Sequence, residues 1–216
     1  MIIKICGIKS VELAEQTASL NPDMIGFVFA KSRRQVAPEQ AAEMIDAIRR
    51  VNGRVRVAGV FVNPELEELR HILAVAPLDI VQLHGDESPA YCDQIRSSFS
   101  GVDVYKVFSV AAEDDFLQHR SQLETYKHSI DGMLLDKPGG GTGQTFSWQA
   151  IPPYVDWARA AGIPLLVAGG LHPGNVGELL TAYGPDGVDV SSGVEQDGEK
   201  DIQLIRVFIE RVNSIA

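Results

Sequence analysis

Met133-Leu134-Leu135-Asp136-Lys137-Pro138-Gly139-Gly140-Gly141-Thr142-Gly143-Gln144-Thr145-Phe146 joins an apolar run to a carboxylate and then to a loop with four glycines. A rigid strand that aims a side chain, followed by a pliable loop that closes over a ligand, is the layout of a catalytic edge. The same order, an apolar strand ending in polar groups, recurs along the chain. Strands are expected at Ile2–Cys6, Met24–Phe29, Val55–Val62, Ile80–His84, Val102–Phe108, Gly132–Asp136, Pro164–Ala168 and Val188–Ser191. Between and after them the apolar spacing changes to that of amphipathic helices. These cover Ser10–Leu20, Pro38–Arg50, Glu65–Val75, Pro89–Ser97, Asp114–Tyr126, Trp148–Ala161, Pro173–Tyr183 and Ile202–Val212. Ser10 suits an N-cap, and Pro38 suits a first helical turn.

Eight strands alternating strictly with eight helices close most naturally into a (β/α)₈ TIM barrel. Strands this apolar on both faces suit a parallel sheet covered by helices. An open doubly wound sheet is the structural alternative. At 216 residues the length fits one barrel domain spanning 1–216, and no linker, low-complexity segment or sequence repeat divides it.

The chain is 45% hydrophobic with a formal net charge of −10. That balance describes a soluble globular protein and excludes a nucleic-acid partner, because backbone phosphates require a basic surface. No apolar run reaches the ~18 residues of a membrane span. The N-terminus enters a strand at once, with no room for a signal peptide, so the expected location is cytoplasmic. Two cysteines, Cys6 and Cys92, do not make a disulfide framework. The closing helix is apolar enough to pack on the barrel unaided, and the reading allows a monomer or a homodimer.

Side chains alternate between lumen and helix layer along each strand. If Ile3 and Ile5 face the helices, Lys4 lies in the lumen and Cys6 at its upper rim. The same count puts Gln82 and His84 inward, with Lys106 on strand 5 and Asp189 on strand 8. A lysine in a lumen requires a partner. Lys4 or Lys106 is therefore expected beside Asp189 or another inward carboxylate.

In this fold chemistry is done at the C-terminal ends of the strands. Cys6, Arg33 or Arg34, Asn63, His84, Asp136 and Asp189 are the polar groups there. Gly169-Gly170-Leu171-His172-Pro173-Gly174-Asn175 follows strand 7, and Ser191-Ser192-Gly193-Val194 follows strand 8. These two positions form the usual phosphate site of a barrel, where glycines let backbone N–H groups approach an anion. A phosphorylated small molecule is the expected substrate.

Plainer readings stand beside these. Cys6 could be a small buried hydrophobe, Asp136 a loop cap, His84 a structural hydrogen-bonder, and the arginines solvated charges. Cys92 reads as core or near-surface, and His71, His119 and His128 as surface. Cys6, His84 and Asp136 could form a metal site. They sit on three strands without a C-x-x-C or H-x-x-x-H pair, and no metal is expected.

Six blocks together resemble phosphoribosylanthranilate isomerase. They are Lys4-Ile5-Cys6-Gly7-Ile8, Gly26-Phe27-Val28-Phe29 with Lys31-Ser32-Arg33-Arg34, Gly59-Val60-Phe61-Val62-Asn63, and Val81-Gln82-Leu83-His84-Gly85. The others are Leu134-Leu135-Asp136 with Gly140-Gly141-Thr142-Gly143, and Asp189-Val190-Ser191-Ser192-Gly193-Val194-Glu195. The resemblance implies an Amadori rearrangement in tryptophan biosynthesis, an aldose–ketose isomerisation that needs no cofactor. It implies Asp136 as general acid and Cys6 as general base. It implies Arg34 on the anthranilate carboxylate, His84 among the substrate-binding groups and Asp189 on a sugar hydroxyl. Gly169, Gly170, Ser192 and Gly193 would hold the phosphate. An acid Asp136 requires a raised pKa, and a basic Cys6 requires a site that favours the thiolate. Another sugar-phosphate isomerase, such as the histidine-pathway one, and an idle phosphate-binding barrel are the competing readings. Cys6 at the first strand end speaks against the first, and the second has no need of both Cys6 and Asp136.

Overall fold

The computed structural model describes residues 1–110, 115–138 and 145–215. Eight parallel strands close into a barrel in chain order. They are β1 (Ile2–Cys6), β2 (Met24–Val28), β3 (Arg56–Phe61), β4 (Ile80–Leu83), β5 (Asp103–Ser109), β6 (Gly132–Asp136), β7 (Leu165–Val167) and β8 (Gly187–Val190). The helices are α1 (Val11–Ser19), α2 (Pro38–Val51), α3 (Leu66–Val75), α4 (Pro89–Ser98), α5 (Asp115–Tyr126), α6 (Ile151–Ala161), α7 (Val176–Tyr183) and α8 (Ile202–Asn213). All sixteen expected elements are present, shifted by at most a few residues at their ends. The expected onset of the fifth helix at Asp114 and the glycines 139–143 lie outside the described residues. A short antiparallel hairpin, β9 (Glu195–Gln196) with β10 (Glu199–Lys200), is an addition that the periodicity did not signal.

Local chemistry explains the element ends. Ser10 Oγ accepts from Leu13 N, and Asp201 Oδ1 accepts from Gln203 and Leu204 N, satisfying the N-termini of α1 and α8. The bottom of the barrel carries a repeated device that the sequence reading missed. An aspartate stands immediately before each even-numbered strand, and its carboxylate accepts an N–H of the preceding odd strand. The pairs are Asp23 with Ile3 N (2.8 Å), Asp79 with Val57 N (2.7 Å), Asp131 with Val104 N (2.9 Å) and Asp186 with Leu165 N (2.9 Å). The signal was an aspartate recurring just before strands 2, 4, 6 and 8 in Asp23-Met24, Asp79-Ile80, Asp131-Gly132 and Asp186-Gly187.

Two apolar layers follow from the alternation. The larger lies between barrel and helices and contains Ile3, Ile5, Ile25, Phe27, Val57 and Phe61 among others. The smaller fills the lumen with Met24, Ala58, Ile80, Tyr105, Val107, Leu134, Leu166 and Ala168. Above that plug the lumen turns polar, with Lys4, Gln82 and Asp189 all buried.

Lys106 corrects the expected phase of β5. Tyr105 and Val107 are the inward residues of that strand, while Val104 and Phe108 belong to the outer layer. Lys106 therefore points away from the lumen. Its Nζ donates to Gly85 O (2.7 Å) and Val107 O (3.1 Å) and pairs with Glu87 at 3.2 Å. The bulky Tyr105 and Val107 fill the lumen better than one lysine whose charge would lack a partner there.

Candidate active site

A cavity of about 430 Å³ opens at the C-terminal ends of the strands. Cys6 from β1, Gln82 and His84 at the end of β4, Asp136 from β6 and Asp189 from β8 all line it. Arg34, Gly169, Gly170, Ser191 and Ser192 line it from the loops. Groups far apart in the chain thus share one mouth of the barrel.

Cys6 is 6% exposed and sits beside Gly26 of β2, its register partner. A Cβ on Gly26 would stand 2.8 Å from Cys6 Sγ, so only glycine leaves room for the thiol. Lys4, one inward position below, is 1% exposed and donates to Asp189 Oδ2 at 2.9 Å. The neighbouring register Lys4↔Asp189 on β1 and β8 makes that pair. Asp189 Oδ1 and Gln82 Oε1 are buried without a hydrogen-bond partner among the described residues. Two orphan acceptors facing one polar lumen suit a ligand rich in hydroxyls.

Burial pushes the Asp136 carboxyl up to about 6, reinforced by the charge of Asp189 and opposed by the Lys137 N–H and by Lys4. Lys137 N donates to Asp136 Oδ1 at 2.7 Å. The direction is the one a general acid requires. Burial also raises the Cys6 thiol, and it outweighs the opposite pull of the Lys4 and Lys200 charges. That corrects the expectation of a site favouring a resting thiolate: desolvation of a buried sulfur wins over two nearby ammonium groups. His84 Nε2 lies 3.6 Å from Asp136 Oδ2, and burial with the Lys4 charge lowers the imidazole, keeping it neutral.

Arg34 is buried, whereas Arg33 keeps its side chain 57% exposed. The stem of Arg34 crosses Gly7 (φ 87°), where a Cβ would stand 2.7 Å from Arg34 Cδ. Gly7 thus supplies both the left-handed turn after Cys6 and the space for the arginine. In the loop after β7, Asn175 donates to Gly170 O (3.0 Å) and accepts from His172 N (2.8 Å). No hydrogen bond among the described residues engages the N–H groups of Gly169, Gly170, Ser192 or Gly193. Gly193 does not line the cavity; its Cα abuts the carbonyl of Leu171.

Four further residues were read differently from the sequence. Asn63 is structural: its N–H donates to Glu87 Oε1 and its Oδ1 accepts from Asp86 N. His119 is half-buried, with Nδ1 2.8 Å from Tyr154 Oη, rather than on the surface. Glu195 and Lys200 were missed as charges at the site, because the hairpin bearing them follows no helical or strand period. Among the described residues no group of three or more His, Cys, Asp or Glu has the geometry of a metal site.

Residues 3–211 match the family described as N-(5'phosphoribosyl)anthranilate (PRA) isomerase. The chain belongs to this family. A phosphoribosylanthranilate isomerase of Brevibacillus brevis is 43% identical, over 98% of this chain and 93% of the relative. Its counterpart from Bacillus subtilis is 35% identical, over 98% and 94%. Among solved structures, phosphoribosyl anthranilate isomerase from Thermotoga maritima superposes with a TM-score of 0.83 at 35% identity, covering 99% of this chain and all of that one. Another of the family was solved in complex with reduced 1-(o-carboxyphenylamino)-1-deoxyribulose 5-phosphate; its TM-score is 0.79 at 34% identity, over 99% and 100% of the two chains. No helix among the described residues is long and apolar enough to cross a membrane.

Proposed function

We propose that this chain converts N-(5'-phosphoribosyl)anthranilate into 1-(o-carboxyphenylamino)-1-deoxyribulose 5-phosphate, the third step of tryptophan synthesis from chorismate. The observation that carries the reading is a thiol and a raised carboxyl, Cys6 and Asp136, on one cavity of a chain of this family.

Asp136 gives its proton to the furanose ring oxygen. The C1′–O bond breaks, and the anthranilate nitrogen lone pair forms the C=N⁺ of a Schiff base. The Cys6 thiolate then takes the C2′ proton, and the C–H electrons move into the iminium to give a neutral enolamine. Ketonisation delivers the product, an isomer of the substrate, so no redox partner or cofactor enters the balance. At rest one proton sits on sulfur and the carboxyl is mostly ionised. The reactive pair, thiolate with carboxylic acid, is the same proton count redistributed. With a value near 6, about a tenth of Asp136 is protonated at pH 7. The iminium acidifies C2′, which reduces the demand on the base.

Arg34 holds the anthranilate carboxylate, a match for a guanidinium fork. Asp189 Oδ1 and Gln82 Oε1 accept from sugar hydroxyls, and His84 lies against the acid. Gly169, Gly170 and Ser192 offer backbone N–H groups to the phosphate. The whole chain acts as one domain in the cytoplasm, as a monomer or homodimer. The test is to supply purified chain with the substrate and follow the fluorescence of the anthranilate adduct. First-order loss of that signal with formation of the ketose supports the reading; a stable signal at micromolar enzyme overturns it.

A further inference from the structure

We infer that Glu195 is a positioning residue of the reaction, acting through Arg34 by holding one edge of its guanidinium so that the other is left for the substrate's carboxylate. The inference rests on the proposed function. Arg34 Nε donates to Glu195 Oε1 at 2.6 Å and Nη2 to Oε2 at 3.0 Å, a side-on bidentate pair. Among the described residues nothing engages Nη1, and the side chain lines the cavity.

The anchor is itself fixed. Glu195 and Lys200 are register partners of the β9–β10 hairpin, and Lys200 Nζ donates to Glu195 Oε1 at 2.6 Å. The Lys200 side chain is 2% exposed and also donates to Ser191 O (3.0 Å) and Oγ (3.2 Å), while Ser191 Oγ donates to Cys6 O (3.1 Å). Arg33 Nη2 reaches Glu195 Oε2 at 2.7 Å from outside. One buried carboxylate therefore binds three cations, and the cluster retains excess positive charge at the end of the cavity where an anion is to dock. Against the cost of burial, Arg34 and Lys200 draw the Glu195 carboxyl down to about 2, so it stays ionised throughout the working pH range.

Charge and position make opposite predictions, which permits a clean test. If Glu195 were only a nearby negative charge, Glu195→Gln would lower KM for an anionic substrate. If it positions Arg34, KM rises by at least about tenfold with kcat within about threefold, because a misplaced fork weakens ground state and transition state alike. In an Arg34→Met background the same substitution then changes KM by less than about twofold, since nothing is left to position. Steady-state kinetics on wild type, both single variants and the double variant read this directly. Glu195→Asp, which keeps the charge but withdraws it by one methylene, raises KM in the same direction and serves if the glutamine variant does not fold. A lowered or unchanged KM in Glu195→Gln, or effects of Glu195→Gln and Arg34→Met that simply multiply, overturns the inference while wild-type turnover upholds the function. Absence of turnover in folded wild type overturns both.

Discussion

Asp136→Asn is expected to inactivate the protein while stabilising it. Burial pushes this carboxyl up to about 6, roughly two pH units above an ordinary aspartate. Between those values the native state binds more protons than the unfolded chain, so wild-type stability falls as pH rises. Asp136 is 6% exposed, so little solvent screening discounts the effect. At ~1.36 kcal/mol per pH unit, the ionised carboxylate costs the fold about 3 kcal/mol at pH 7, about 1.5 at pH 5 and close to zero at pH 3. An asparagine is neutral throughout and keeps an oxygen for the Lys137 N–H. The variant should therefore gain up to about 3 kcal/mol at pH 7, and the gain should fade on acidification. Its turnover should drop by about 10²–10⁴, the usual contribution of a general acid. Urea unfolding of both proteins at pH 7, 5 and 3.5, with kcat measured alongside, checks the two halves together. A variant no more stable than wild type at pH 7, or a gain that does not vary with pH, would refute the reasoning about burial. Undiminished turnover would refute the role.

Arg34→Met should weaken substrate binding by about 2–4 kcal/mol and leave kcat much closer to wild type, since a charge-paired carboxylate loses its partner; an unchanged KM excludes Arg34 as the carboxylate site. Lys4→Met leaves the Asp189 carboxylate buried beside no cation, and should cost about 3–5 kcal/mol in urea unfolding at pH 7; a loss below about 1 kcal/mol would mean that the pair contributes little. The pH profile of kcat/KM should rise through a limb near 6 as Asp136 ionises, stay flat, and fall above the ordinary thiol range as Cys6 ionises. Those apparent values belong to the coupled pair, and a rising limb near pH 4 would show a carboxyl that burial does not raise.

The barrel was legible because strand and helix periods differ, and because β1, β4 and β8 keep a strict alternation. Ile3 and Ile5 in the outer layer fix Lys4 and Cys6 inward, and Lys4 meets Asp189 as its charge requires. Strand β5 misled for a physical reason. Its run Val104-Tyr105-Lys106-Val107-Phe108 is apolar on both faces, so only the packing of Tyr105 and Val107 sets the phase. Glu87, the carboxylate that receives Lys106, lies in a loop where no periodicity operates. Glu195 and Lys200 escaped similarly, on a two-residue ladder too short to carry a pattern. The direction of the Cys6 shift depends on burial against two ammonium charges, and only coordinates supply that balance.

Saturating kinetics of Cys6→Ala with N-(5'-phosphoribosyl)anthranilate bear most directly on the thiol as base. Loss of kcat by at least about 10² with KM changed only a few-fold is the predicted result. Turnover within about threefold of wild type would mean that another group takes the C2′ proton, and the assignment of the thiol would be wrong.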